Sequence, residues 1–367
     1  MRVKNHLFLI FILLVTRFTP VFSQDQTYRL QSDRFGDFGL SYESWKAGED
    51  RVTAFSIPMT IIYPAHDKLR FYAMTSPAFS NLKTYVDYNL GGMSDIKWGG
   101  HYLAFNDRWL ITFGMNLPTG KSALETDEYS VASVLVLPAF NFRVPSLGQG
   151  FDAQVGLSTA GEMGSLVVGA GVSFLMKGGF KPFKNYDESY NPGDEITLSV
   201  GVDVGGVIGD ILYTIYTDDT WGSEKVFRSG NRVVLQLLSS FQVGVFDVTV
   251  FIRDRLKGKN KTGSGDFYET ERKNSNTNQF EIQSYWHRSA GRNARVKGIL
   301  ELKLYSNSEY GTGGATLLGV GGGWQFNLSP QLAFNSDLRY YFGKIQSASE
   351  KIDASGIKLL GGFLYTF

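Results

Sequence analysis

Hydrophobic and polar positions alternate along most of this chain with a period of two. In "FDVTVFIRD" Phe246, Val248, Val250 and Ile252 fall on one face and Asp247, Thr249, Phe251 and Arg253 on the other. "EITLSVGVDV" sets Ile196, Leu198, Val200, Val202 and Val204 against Thr197, Ser199, Gly201 and Asp203. "RVKGILELKLY" sets Val296, Leu300, Leu302 and Leu304 against Arg295, Lys297, Glu301 and Lys303, and "LAFNSDLRYYF" repeats the pattern. Period two with one apolar face predicts β-strands standing between two different media. Helix-spaced patterning is poor, so the expected class is all-β.

Strand length separates a soluble sandwich from a membrane barrel. Many alternating runs reach roughly 10–14 residues, against a usual 5–6 in soluble sheets. Crossing a bilayer takes about 9–11 tilted residues. Aromatic residues gather toward run ends (Trp45, Tyr63, Trp98, Trp109, Tyr213, Trp221, Trp286, Tyr305, Trp324 and Tyr340), as the two interfacial girdles of a barrel require. A closed antiparallel barrel is the one β solution in hydrocarbon, because an open edge strands backbone polar groups.

Long and short connections should alternate between the two rims. Long ones are expected near 80–92, 119–131, 178–193, 218–226, 257–276, 307–314 and 346–353. Short ones are expected near 65–67, 106–107, 207–209, 243–245, 290–293 and 329–331. Starting from "FGLSYESW" (38–45), this gives seventeen runs, and a barrel with both ends on one side needs an even number. The expectation is therefore 16 strands, with 14 as the alternative and one surplus run between about 145 and 178. The barrel is assigned to 38–367.

The N-terminus carries Arg2 and Lys4, an apolar core from Leu7 to Val15, and Val21-Phe22-Ser23, which reads as a secretory leader over 1–23. Residues 24–37 then form a short periplasmic segment. The composition adds 42 Gly, 28 Phe, 19 Tyr and no Cys, so neither a disulfide nor a lipidated cysteine is available. Without the leader, 33 basic side chains face 35 acidic ones, which is no nucleic-acid footprint. The chain ends "GIKLLGGFLYTF"; Phe363, Tyr365 and Phe367 at spacings of two resemble the terminal signature by which bacterial outer-membrane proteins are recognised by their barrel-assembly machinery. Outer-membrane lipid and that machinery are the expected partners, and the bacterial outer membrane the expected location.

Candidate chemistry is sparse. "GMNLPTGKS" ends like a phosphate-binding loop, but G-x-x-x-x-G-K-[ST] needs glycine at 115, where Met115 stands. His66, His101 and His287 are scattered and no G-x-S-x-G accompanies them, so no catalytic group, metal or cofactor is expected. The inward faces of the last third carry mixed charges: Asp247, Arg253, Glu281, His287, Arg295, Lys297, Glu301, Lys303, Asp337 and Arg339. By contrast "VASVLVLPAFNF" (131–142) is apolar on both faces. Read as a wall strand, it lines the lumen with Val134, Val136, Pro138 and Phe140, or with their alternates, a candidate surface for a hydrophobic solute, with Pro138 marking a bulge or a kinked wall.

Gly92-x-Ser94-Asp95, then two strands, then Pro118-Thr119-Gly120, resembles the outer-membrane family of the MetA-pathway phenol-degradation proteins, which carries G-x-G-D and P-T-G at a similar separation. "RVTAFSIPMTIIYPAHDKLRFYAMTSP" resembles its first hairpin, with departures at Ser94 and in the turn Tyr63–Asp67; the likeness spans about residues 40–210. It implies a barrel related to the long-chain fatty-acid and aromatic transporters, hence passive uptake of small hydrophobic or aromatic compounds. A polar general porin, or a structural or adhesive barrel acting through its outer loops, is the alternative.

Overall fold

The computed structural model describes residues 35–366 apart from 106, 145–147, 186 and 348–349. The leader, residues 24–34 and Phe367 lie outside the described residues. One continuous sheet of nineteen segments closes on itself. Three walls consist of two segments each, which leaves 16 antiparallel walls, as the parity of the chain predicted. They are β1 (Phe35–Ala47), β2 (Asp50–Ser56 and Met59–His66), β3 (Leu69–Thr75 and Pro77–Lys83), β4 (Asp87–Met93 and Ile96–Ala104) and β5 (Trp109–Leu117). After a long excursion come β6 (Asp152–Met163), β7 (Leu166–Lys177), β8 (Glu195–Val204), β9 (Val207–Tyr216), β10 (Arg232–Val243) and β11 (Phe246–Lys257). β12 (Gln279–Ser289), β13 (Ala294–Tyr305), β14 (Ala315–Asn327), β15 (Leu332–Ser347) and β16 (Glu350–Thr366) complete the circuit. Closure is the pairing of β1 with β16, from Phe35↔Thr366 to Ala47↔Ala354.

The alternation read from sequence is the one observed. Leu198, Val200, Ile211, Leu300, Leu338 and Leu359 are exposed on the outer face, while Thr197, Glu301, Lys303, Asp337 and Arg339 are buried on the inner one. An apolar exterior around the whole circuit is what lipid demands of a barrel. Among the described residues no helix is long and apolar enough to cross a membrane. The short-turn rim, which also holds Phe35 and Thr366, uses tight reversals such as Gly205-Gly206, both at positive φ, where L side chains are strained.

Three expectations need correction. The connections at 80–92 and 346–353 are short, because β3 runs to Lys83 before β4 starts at Asp87, and β15 runs to Ser347 before β16 starts at Glu350. The surplus run is not between 145 and 178, where β6 and β7 are both walls; it is 131–142, which is no wall at all. Trp45 and Tyr305 are not girdle residues: Trp45 is fully buried and Tyr305 nearly so, both inside the lumen. Counting by twos from the outward-facing Leu40 and Tyr42 puts Trp45 on the inner face.

Candidate functional site: the lumen and the segment that crosses it

Four neighbouring walls are interrupted at one level. β2 breaks at Ile57-Pro58, β3 at Ser76, β4 at Ser94-Asp95, and β5 stops at Leu117 before Pro118. Prolines 58, 77 and 118 sit at this level, and proline cannot donate to a ladder. The freed backbone groups find other partners. Gly39 N–H donates to Pro58 O (3.0 Å), Ile57 N–H to Pro77 O (2.9 Å) and Ser94 N–H to Ser76 O (2.9 Å). Ser76 N–H donates to Ser94 Oγ (2.8 Å) and Ile96 N–H to Thr119 Oγ1 (2.9 Å).

The two motifs singled out in the sequence meet at this break. Asp95, buried, accepts hydrogen bonds from Gly120 N–H (2.8 Å), Gln149 N–H (2.7 Å) and Asn116 Nδ2 (2.8 Å), while Asn116 also donates to Gly150 O (2.9 Å). One carboxylate thus holds both ends of residues 118–151 together. A side chain at Gly148 would press on Gly120 and Asp95, so the neck leaves no room for one. Gly92 pairs with Ala78 in the segment just beyond the break. Lys121 pairs with Glu128, seven residues on, and so belongs to this segment's own fold.

Beyond the neck the chain forms α1 (Thr126–Leu135). Its start is a capping box, with Glu125 and Glu128 each receiving the other's backbone N–H. Asp127 and Glu128 complement the dipole in the first turn, and Pro138 follows its end. Val131 and Leu135, spaced i and i+4, are buried against the inner faces of β2–β4, where Val52, Ala54, Ala78, Leu82 and Leu90 are apolar. This helix takes the place of the wall strand expected at 131–142. Val131, Val134 and Leu135 satisfy both periods, and the sequence offered no turn residue to separate the readings.

After α1 the segment docks on the neighbouring arc of β1 and β13–β16. Phe140, Phe142 and Val144 pack with Trp45, Leu317 and Tyr341 in one buried cluster. The Trp45 ring lies 5.1 Å from Phe140 and 5.0 Å from Tyr341, contacts that add to the roughly 1.5–3 kcal/mol from burying each large side chain. Gly356 faces the Trp45 ring and Gly319 the Tyr341 ring; a Cβ on either would come within 2.5 or 2.6 Å of it. The rings therefore lie flat on the wall because those two positions are bare.

The mixed charges expected on the inner wall now have specific work. Lys303 Nζ donates to Ala139 O (3.2 Å), Tyr305 OH to Pro138 O (3.3 Å) and Lys358 Nζ to Asn141 O (2.5 Å), while Arg143 N–H donates to Glu43 Oε1 (2.7 Å). The same cations are neutralised in place: Lys358 by Glu43 (2.8 Å), Lys303 and Arg339 by Glu301 (3.5 and 3.6 Å), and Lys297 by Asp337 (2.6 Å). Lys303 and Lys358 also flank Tyr341, 5.3 and 5.7 Å from its ring. Sequence reasoning placed Lys297, Glu301, Lys303, Asp337 and Arg339 on the inner face but missed Glu43 and Lys358 and the object of them all, since backbone carbonyls leave no mark in a side-chain pattern.

Of the four solute-contact candidates, Phe140 is buried in the cluster and Val134 is packed against it. Val136 and Pro138 are exposed, with Leu137 between them exposed too. His101 lies on the inner face beside Tyr72 (5.5 Å), His287 beside Tyr285 (6.4 Å), and His66 at the end of β2. Among the described residues no group of three or more His, Asp or Glu could hold a metal.

No family model matches this chain and no curated protein does, so the likeness carried by residues 92–95 and 118–120 stands on those motifs. Solved structures with a similar trace include CymD, a monoaromatic hydrocarbon channel (11% identity, 94% of this chain and 91% of that one, TM-score 0.46). They also include the Pseudomonas putida toluene transporter TodX (11%, 95% and 93%, 0.40) and a bacterial polysaccharide outer-membrane secretin (9%, 90% and 98%, 0.48). At these scores the likenesses carry no argument about what this chain does, and its functional reading rests on its own lumen.

Proposed function

We propose that this protein is an outer-membrane channel for passive uptake of small hydrophobic or aromatic compounds, with residues 118–151 as its internal constriction. The observation that carries this reading is the apolar surface this segment leaves exposed in a lumen whose wall over β12–β16 is rich in charge. Its packed side holds Phe140 and Phe142, and Val136, Leu137 and Pro138 are left exposed. Such molecules cross a saccharide-coated leaflet poorly, and an apolar surface inside a pore lowers that barrier without an energy source. The interrupted arc supplies a sideways exit: among the described residues, Asp87–Met93 pairs along one edge only, with Pro77–Lys83. In the same reading the leader delivers the chain, and the assembly machinery reads Phe363, Tyr365 and Phe367. Deleting Phe367 should lower folded yield far more than deleting Ser264 in a loop.

The test is uptake of phenol at low concentration by cells with and without the protein. Entry should be faster with it, and Val136→Asp with Leu137→Asp should abolish the gain while heat-modifiable gel mobility shows an intact barrel. If sugars pass readily and phenol gains nothing, the polar-porin reading replaces this one.

A further inference from the structure

The inner wall divides into two arcs with different charge bookkeeping. On β13, β15 and β16 the inward cations Lys297, Lys303, Arg339 and Lys358 each have a carboxylate. On β10 and β11 this fails. Four cations, Arg232, Arg253, Arg255 and Lys257, project from two adjacent strands into the lumen, and Arg232 stands directly opposite Lys257 in the ladder. Arg253 is paired, with Glu281 at 2.5 Å. Arg232 reaches only the far side of Glu195, at 3.9 Å, and Lys177 already holds that carboxylate at 2.5 Å. Arg255 donates to the neutral Gln279 (2.8 Å), and among the described residues no carboxylate lies within 4 Å of Arg255 or Lys257. The Nε atoms of both Arg232 and Arg255 are buried without a hydrogen-bond partner.

Like charges directly opposite each other on a sheet destabilise it, and a buried guanidinium whose nearest carboxylate is distant or already shared recovers little of its lost hydration. These groups do not dock the inserted segment, whose polar contacts go to Glu43, Lys303, Tyr305 and Lys358. Beside them the wall is hydroxyl-bearing, with Thr214 3.5 Å from Arg232 and 3.1 Å from Thr197. Tyr216 offers its ring to Arg232 at 5.8 Å. Planar forks, hydroxyl donors and an aromatic face are the parts that recognise a carboxylate carried on a small organic skeleton.

We infer that Arg232, Arg255 and Lys257 form an anion-binding station on the open side of the lumen, which makes the channel selective for small organic carboxylates. This rests on the channel reading but not on the solute being neutral or apolar. The full-length protein is reconstituted in a planar bilayer under a potassium chloride gradient, and benzoate binding to the detergent-solubilised protein is followed by saturation-transfer NMR, a readout independent of conduction. The parent should prefer chloride over potassium and should bind benzoate. Changing Arg232→Gln, Arg255→Gln and Lys257→Gln together should lower the chloride-to-potassium permeability ratio about tenfold and remove the benzoate signal. Lys344→Gln, on an exposed lysine of the loop rim, should change neither. Should the triple variant fail to fold, Arg255→Gln alone should lower both readouts partway. A cation-preferring parent, or a folded variant with unchanged selectivity and benzoate binding, overturns the inference. Phenol uptake distinguishes the two proposals: if phenol entry gains while anions show no preference, only this one falls, and the converse result removes only the apolar-solute reading.

Discussion

The arc from β2 to β5 and the arc from β7 to β16 are built from the same alternating material and end up differently. In the second, Leu338 pairs with Leu359 and Tyr340 with Ile357 in a register that runs unbroken for sixteen pairs. In the first, every wall breaks at one level and the chain turns into the lumen. An interruption strands backbone donors and acceptors, each costly away from water. The regular arc faces lipid outside and charged side chains inside, and its ladder runs without a break to repair. The interrupted arc carries its own repair in Ser76, Ser94, Thr119 and above all Asp95. Lipid-facing geometry is therefore enforced by solvent, whereas the constriction is enforced by a handful of polar side chains.

The contrast is sharpest at Asp95. Asp95→Ala removes an anion accepting three hydrogen bonds, each worth about 1.5–3 kcal/mol when one partner is charged. Residues 118–151 should become sensitive to added protease and single-channel conductance should rise. Asp337→Ala in the regular arc removes a buried ion pair and should leave the protease pattern unchanged. If the two variants are cut alike, Asp95 is not the latch.

Next in size is the docking cluster. Phe140→Ala should cost about 3–5 kcal/mol of the segment's attachment, read as increased hydrogen exchange in residues 126–144. Leu300→Ala, on the lipid face, should leave exchange there untouched. A smaller effect is expected where aromatic rings lie on bare wall. Gly356→Ala puts a methyl 2.5 Å from the Trp45 ring and should cost about 1–3 kcal/mol by overpacking, whereas at Gly361 on the same strand the nearest atom is 3.9 Å away and Ala should be accommodated. Equal thermal midpoints for the two variants would show that the ring can move aside.

The smallest effect belongs to Lys121→Ala. The pair with Glu128 is partly screened, so the loss should stay below about 1 kcal/mol, and no nucleotide should bind in calorimetry before or after the change. Desolvation raises the Glu128 carboxyl, but the Glu125 backbone N–H and Lys121 outweigh it and leave the group below its ordinary 4.5. A depressed carboxyl contributes stability that is present above that value and lost as pH falls through the folded one. Protection of α1 amides should therefore decline only under acid, and less steeply without Lys121.

Legibility followed the same division. The inward charges Glu281, Glu301, Lys303 and Asp337 and the outward Leu198 and Leu300 follow directly from counting by twos. The motif residues Asp95 and Gly120 were visible as a pair of short signatures, but their common purpose was not, because a hydrogen bond across 25 residues leaves no periodic trace. Residues 131–142 misled outright: Val131, Val134 and Val136 fit a strand, and Val131 with Leu135 fit a helix equally well. The apolar inner faces of Val52, Ala54, Ala78 and Leu82, opposite outward residues such as Phe55 and Phe79, are the one local sign that something apolar must fill the lumen there.

Sequence alone determined the barrel, because lipid outside and water inside impose a two-residue period on each wall and closure imposes an even count. Tertiary structure alone decided that residues 118–151 fold inward, that Trp45 belongs to the lumen cluster and that Lys303 and Lys358 hold carbonyls of a distant segment. Those choices rest on which walls meet around the circuit, from β4 to β13 and β16. No spacing along the chain encodes that neighbourhood, since it exists only once the ring has closed.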